Sequence, residues 1–231
     1  MKTAGLIGGM SWESTLTYYR VMNETVKDVL GGLHSAQLVL YSVDFDEIEA
    51  LQASGEWDKT AEILGKAAVA LERAGADFIM ICTNTMHKVA PQVAAQVHVP
   101  LLHIAEATAG ALQEKGIAKT ILLGTKYTMT EDFYTQKLAD AGILAIIPSV
   151  NDIEVVNRII FEELCLGILS EQSKAELLRI IGSLAGQGAQ AVVLGCTEIG
   201  LLVRQEDTSL PVFDTALIHA KKAAMMAIAS E

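Results

Sequence analysis

Two short stretches of this 231-residue chain carry residues that could move protons at carbon. The first is Ile79-Met80-Ile81-Cys82-Thr83-Asn84-Thr85-Met86-His87, an apolar run that stops at a cysteine and passes at once into small polar residues. The second, 114 positions later, is Val192-Val193-Leu194-Gly195-Cys196-Thr197-Glu198. Either cysteine alone reads equally well as a small buried hydrophobe. Two cysteines in matching settings suggest more. Inverting a stereocentre requires taking a proton from one face of a carbon and returning one to the other. Two thiols on opposite faces can do this, one as thiolate base and one as thiol acid, with roles exchanged for the opposite hand. A thiol at a helix N-terminus beside hydroxyls can have a lowered pKa, and that is the expectation for both. Thr83, Asn84, Thr85 and Thr197 add neutral donors just beyond them.

Composition narrows the chemistry. The net charge is -11, 51% of residues are hydrophobic and 5% aromatic. Nucleic acid and anionic membranes are not expected as partners, because both call for a basic footprint. A small anionic substrate is compatible, since a local site can oppose the global field. The apolar start, Met1 to Met10, is interrupted by Ser11-Trp12-Glu13, so no signal peptide is expected, and no run approaches a membrane span. Cys82, Cys165 and Cys196 are far apart with no C-x-x-C pair, which fits a cytoplasmic protein with reduced thiols rather than a disulfide or zinc framework. His34, His98, His103 and His219 lack ligand spacing, so no metal is expected. His87 lies five residues after Cys82, poor spacing for a shared helical face, and reads as a cap or packing residue. Cys165 reads as core packing. Gly5-Leu6-Ile7-Gly8-Gly9 lacks the G-x-G-x-x-G spacing of a dinucleotide site.

The elements that must position the cysteines alternate strand and helix, which means parallel sheets. Strands are expected at 3–8, 36–43, 76–81, 99–104, 120–124, 144–147, 190–195 and 210–213. A helix is expected from Ser11 to Leu30, one from Trp57 to Ala74, and a last one from Asp214 to about Ser230. The order runs twice. Lys2 to Gly8 resembles Lys119 to Gly124, and Ala74-Gly75-Ala76-Asp77 resembles Gln187-Gly188-Ala189-Gln190. Gly8 to Cys82 is 74 residues and Gly124 to Cys196 is 72. The plan is therefore α/β, two similar lobes with parallel sheets flanked by helices, related by a pseudo-twofold axis: 1–104 with 212–231, and 105–211. Open parallel sheets bind ligands beyond the carboxyl ends of their strands, which puts the expected active site in the cleft between the lobes.

With these motifs in view, Gly8-Gly9-Met10-Ser11-Trp12-Glu13-Ser14, Cys82-Thr83-Asn84-Thr85-Met86-His87 and Gly195-Cys196-Thr197-Glu198-Ile199 resemble the aspartate/glutamate racemase family over essentially the whole chain. The resemblance is closest to its enterobacterial branch of broad-specificity amino-acid racemases. It implies an amino-acid racemase, an isomerase with no cofactor and no pyridoxal phosphate, acting on a small-molecule amino acid as a homodimer. It implies Cys82 and Cys196 as the acid/base pair. Around the substrate it implies Met10 (as a backbone donor), Gln52, Thr83, Asn84 and Thr85, with Thr125 as a further contact. Aspartate-selective members place one basic residue after the second strand and another in the helix that here reads Phe161 to Gly167. This chain has no Lys or Arg from Asp44 to Glu56, and Cys165 or a neighbour stands at the second position. An unpaired buried carboxylate is costly, so neutral or mildly polar amino acids are expected rather than aspartate alone. The alternatives are an aspartate or glutamate racemase proper, a cis–trans isomerase or decarboxylase of the same superfamily, and a two-lobed amino-acid binder without catalysis. Both thiols together speak against a single-cysteine decarboxylase and against a plain binder.

Overall fold

A computed structural model of the protein describes residues 1–229. It divides into two compact units, Met1–Ile104 with the chain from His219, and Ala105–Ile218.

The first unit is built on β1 (Ala4–Gly8), α1 (Trp12–Leu30), β2 (Leu38–Ser42), α2 (Phe45–Ala53), α3 (Trp57–Arg73), β3 (Phe78–Ile81), α4 (Ala90–Ala94) and β4 (Leu101–Leu102). The four strands are parallel in the order β2-β1-β3-β4. β1 and β3 are buried throughout, as a strand covered by helices on both faces must be. α1 starts where Ser11 accepts the Ser14 N–H and stops at Gly31, at φ 73°, whose N–H returns to the Lys27 carbonyl. α3 presses Leu64, Ala67, Ala68 and Leu71 into a core with Ile7, Ile79 and Ile81. The segment after Asp44 is helical, with the Asp44 carboxylate accepting the Asp46 N–H.

The second unit repeats the plan with α5 (Ile104–Glu114), β5 (Lys119–Gly124), α6 (Lys126–Thr130), α7 (Asp132–Asp140), β6 (Leu144–Ile146), α8 (Val150–Glu162), α9 (Glu171–Ala185), β7 (Ala191–Gly195), β8 (Val212–Asp214) and the first turn of α10 (Thr215–Ile228). Its parallel sheet runs β6-β5-β7-β8, the same order of first, second, third and fourth strand. Ile121, Leu123, Val192 and Leu194 meet Val156, Ile159, Leu177 and Ile180 in its core.

The repeat extends to single hydrogen bonds. Asp77 Oδ2 accepts the Thr3 N–H at the start of β1, and Gln190 Oε1 accepts the Ala118 and Lys119 N–H groups at the start of β5. The Pro100 carbonyl accepts from Ile79 N–H, and the Pro211 carbonyl accepts from Val192 N–H, both at 2.9 Å. Two boundaries differ from expectation. β8 pairs with β7, so the chain returns to the first unit at His219, inside α10, and not at 212. β4 is two residues long, because Pro100 has no N–H to give and Ile104 already belongs to α5. The expected end of α10 near Ser230 lies outside the described residues.

Candidate active site

Cys82 follows β3 directly. Its N–H still bonds the Ile7 carbonyl of β1 at 2.9 Å, and its side chain is 0% exposed. Thr83 and Asn84 turn the chain into a 3-10 turn, Thr85–Val89. Thr83 is half-buried, Asn84 and Thr85 buried. β1 leaves the sheet beside Cys82 through Gly8-Gly9-Met10. Gly9 sits at φ 94°, where a Cβ would collide with the Val43 carbonyl oxygen, so the turn can lie flat over the end of β2 only as glycine. Its N–H is held by Thr15 Oγ1 at 2.9 Å, whose hydroxyl donates to the Ser11 carbonyl at 2.8 Å. The Met10 side chain packs in the core, leaving only its backbone for the contact the resemblance implied. Gln52 is buried on α2.

His87 pins the Cys82 loop. Its Nε2 accepts the Ile104 N–H at 3.1 Å, so Nδ1 carries the proton and donates to the Thr83 carbonyl at 2.8 Å. A second buried histidine stands 5.8 Å away, ring to ring. His219 Nε2 donates to the Leu102 carbonyl at 2.9 Å, and its Nδ1 accepts the Tyr18 hydroxyl at 3.0 Å. These bonds tie α10, β4, α1 and the Cys82 loop together.

Cys196 follows β7. Gly195 pairs with Gly124, which precedes Thr125, so Cys196 and Thr125 leave adjacent strands side by side. A Cβ on Gly124 would sit 2.6 Å from the Gly195 carbonyl oxygen, so bare glycine is what lets the two strand ends close up. Thr125 caps α6, its Oγ1 accepting the Thr128 N–H at 3.3 Å. A 3-10 turn begins at Ile199, three residues after Cys196, as one begins at Thr85, three after Cys82. Glu198, 3% exposed, accepts through Oε2 from the Cys196 thiol at 3.0 Å and from the Thr197 hydroxyl at 2.8 Å. Asp214 lies against Gly200 and accepts the Ala216 and Leu217 N–H groups.

Residues 7–223 match the model of the Asp/Glu/hydantoin racemases. The chain belongs to that family. A Yersinia pestis protein whose crystal structure was solved as a candidate Asp/Glu racemase is 56% identical, covers 99% of this chain and 100% of its own, and superposes with a TM-score of 0.92. An aspartate racemase homologue from Pyrococcus horikoshii OT3 is 40% identical over 98% of this chain and 99% of its own, with a TM-score of 0.85. The broad specificity amino-acid racemase RacX of Bacillus subtilis (strain 168) is 23% identical over 230 residues, 94% of each chain.

For a racemase the electrostatics are instructive, and they overturn one expectation. Neither thiol is lowered. Burial pushes Cys82 well above the ordinary thiol range. Burial pushes Cys196 up too, with the Glu198 charge, then Cys165 and the thiol–carboxylate bond, adding to the effect. The turns after them, five and three residues long and 3-10 in form, are too short to offer a helix dipole that would offset the loss of water. Burial pushes Asp214 up to about 6, with Glu198 adding to the rise against the two N–H bonds. Burial first, and His103 second, holds His87 far below its usual range, while burial and then His87 bring His219 to about 3, so both rings are neutral at pH 7.

Among the described residues no cluster of three or more His, Cys, Asp or Glu could hold a metal, and no helix is long and apolar enough to cross a membrane. A surface hollow of about 400 Å³ beside α7 and β6, lined by Thr135, Gln136, Ile143 and Leu144 among others, includes none of the candidate residues. Two residues escaped the sequence reading. Glu198 stood in the quoted motif, and the signal was a carboxylate two positions past a strand-end cysteine in otherwise apolar surroundings. His219 gave no signal, because its partners Tyr18 and Leu102 are 201 and 117 positions away.

Proposed function

We propose that the protein is a pyridoxal-phosphate-independent amino-acid racemase that interconverts L- and D-amino acids with Cys82 and Cys196 as its two bases. The observation that carries this reading is the repeat at the site. In each unit the third strand of the same four-strand order ends in a buried cysteine, then threonine, then a 3-10 turn starting at the same offset. In the proposed mechanism each unit supplies one thiol, one to each face of the amino acid's α-carbon. One thiolate takes the α-proton, and the other thiol returns a proton from the opposite side. A thiolate held in an apolar site is scarce but strongly basic, and strength is what a weakly acidic α-carbon demands. The hydroxyls and amides of Thr83, Asn84, Thr85, Thr125, Thr197 and Gln52, with the Met10 backbone, orient the substrate's charged groups. No cofactor enters the chemistry.

The substrate reading is a neutral or mildly polar amino acid, with broad rather than strict specificity. α2 carries Asp46, Glu47 and Glu49 and no cation. In the helix that precedes Cys165, the guanidinium of Arg158 is engaged by Glu163 at 2.8 Å. RacX, named for broad specificity, fits this reading. An aspartate racemase proper is the second reading, favoured by the 40%-identical Pyrococcus homologue. Single L-amino acids incubated in heavy water without pyridoxal phosphate, followed by chiral chromatography and α-proton exchange, test both. Broad inversion is expected; inversion of aspartate alone selects the second reading, and exchange with no amino acid defeats both. The protein is further proposed to act as a homodimer in the cytoplasm, where its three free thiols stay reduced.

A further inference from the structure

We infer that His87 is a positioning residue for inversion: its ring fixes the peptide between Thr83 and Asn84 and so aims the Cys82–Thr85 run at the substrate. The inference rests on the racemase reading and adds a residue to it. In an α-helical turn the His87 N–H would bond the Thr83 carbonyl, four residues back. The turn here is 3-10, so that N–H bonds the Asn84 carbonyl instead, at 3.0 Å. The ring of the same residue takes the Thr83 carbonyl, through Nδ1–H at 2.8 Å. One residue thus holds two successive carbonyls. A trans peptide points its N–H opposite to its C=O, so holding the Thr83 carbonyl also sets the direction of the Asn84 N–H. The ring is itself held. Nε2 accepts the Ile104 N–H at 3.1 Å, and the other tautomer would set N–H against N–H there and leave Nδ1 without a proton for the Thr83 oxygen.

The other half of the chain does without the ring. Leu201 stands five residues after Cys196, as His87 stands five after Cys82. Its N–H bonds the Glu198 carbonyl at 3.0 Å, the same backbone bond at the same offset. Backbone and a leucine are therefore enough to close such a turn. An imidazole in that place is costly, because His87 is 1% exposed and its polar atoms must all be matched. Two further imidazoles pack against it, His103 at 4.5 Å and His219 at 5.8 Å between ring centroids. His219 is matched in its own right by the Leu102 carbonyl and the Tyr18 hydroxyl, so it does not compete for the Thr83 carbonyl. What the histidine adds over leucine is its hold on the Thr83 carbonyl, and Thr83 is the residue next to Cys82. Such a hold matters where reacting atoms must meet in a narrow range of distance and angle.

The amide of an asparagine ends near the place of Nδ1, and that of a glutamine near the place of Nε2. His87→Asn therefore keeps a donor for the Thr83 carbonyl and gives up the Ile104 N–H, and His87→Gln does the reverse. His87→Leu copies the other half and gives up both. With the amino acid most rapidly inverted in the heavy-water panel, kcat should fall about 100-fold in His87→Gln and in His87→Leu, the loss expected when reacting groups shift by about 1 Å. Most of that loss should be regained in His87→Asn. Equal kcat in the asparagine and glutamine variants, or losses that follow melting temperature across all three, overturn the inference. A second measurement needs no variant. In the full chain labelled with ¹⁵N at histidine, His87 should carry its proton on Nδ1 at pH 7. That N–H resonance should shift when the same amino acid is added to saturation, while the exposed His34 and His98 stay put. A proton on Nε2, or an Nδ1–H resonance indifferent to the amino acid, overturns the inference even if every variant fails to fold. If the unaltered protein inverts no amino acid, the racemase reading falls and the positioning role falls with it. If it inverts one and His87→Asn is no better than His87→Gln, the inference falls alone.

Discussion

Cys82 and Cys196 were legible as a pair from their repeated settings, but their protonation was not. It depends on burial and on Glu198, which only the folded chain brings into contact with sulfur. The same holds for the histidines. His87 could be read as a cap or packing residue from its spacing, but not as the donor that fixes the Thr83 carbonyl, because its second partner, Ile104, is 17 positions away. A pH dependence of stability follows. His87 and His219 have folded pKa values below the unfolded value of about 6.5, so the unfolded chain binds more protons as the pH drops. Their stabilisation is complete above about pH 6.5 and is lost as the pH falls towards their folded values, at about 1.4 kcal/mol per pH unit for each. Asp214, raised to about 6, works in the opposite sense below pH 6 and offsets part of one histidine. Between pH 7 and 5 the net loss should be about 2–3 kcal/mol, read from urea midpoints. His219→Gln, which can still donate to Leu102 but does not titrate, should flatten that slope. An unchanged slope would mean that His219 is not neutral in the fold.

At the scale of elements, strand and helix order was readable because apolar periodicity and glycine stops are local signals. The parts that went unread are those set by neighbours. β2 is an edge strand with half its surface open, including Leu40 and Tyr41, and its sequence is nearly as apolar as that of buried β1. α1 carries a consequence of its own. Trp12, Leu16 and Tyr19, at i, i+4 and i+7, form one outward stripe, 62%, 59% and 55% exposed. A stripe of large apolar side chains left to water is the signature of a face another chain covers. The proposed homodimer would use it. The full chain should sediment at twice the monomer mass, and Leu16→Glu should shift it towards monomer. A wild-type monomer at micromolar concentration contradicts the dimer, and a dimer indifferent to Leu16→Glu removes α1 from its interface.

For the whole molecule, the duplication explains why one chain presents two cysteines in equivalent settings. Each unit has the same strand order and delivers one cysteine from the end of its third strand. The repeat was visible in the sequence because corresponding strands open alike: Asp77 and Gln190 each accept the N–H groups that open the first strand, and Pro100 and Pro211 each accept the N–H of the second residue of the third strand. The place where the chain crosses back was not visible, since α10 is continuous through it. Membership of the Asp/Glu/hydantoin racemases agrees with that architecture over residues 7–223. The central claim is that inversion needs one thiol from each unit. The most direct measurement follows the α-carbon of a single accepted enantiomer in heavy water with Cys82→Ser and with Cys196→Ser. Each variant should lose inversion by at least about 1000-fold, within the range assigned to a positioned acid or base. Each should retain α-proton exchange, if any, with only one enantiomer, and the two variants should retain opposite ones. Full racemisation by either variant would contradict the account.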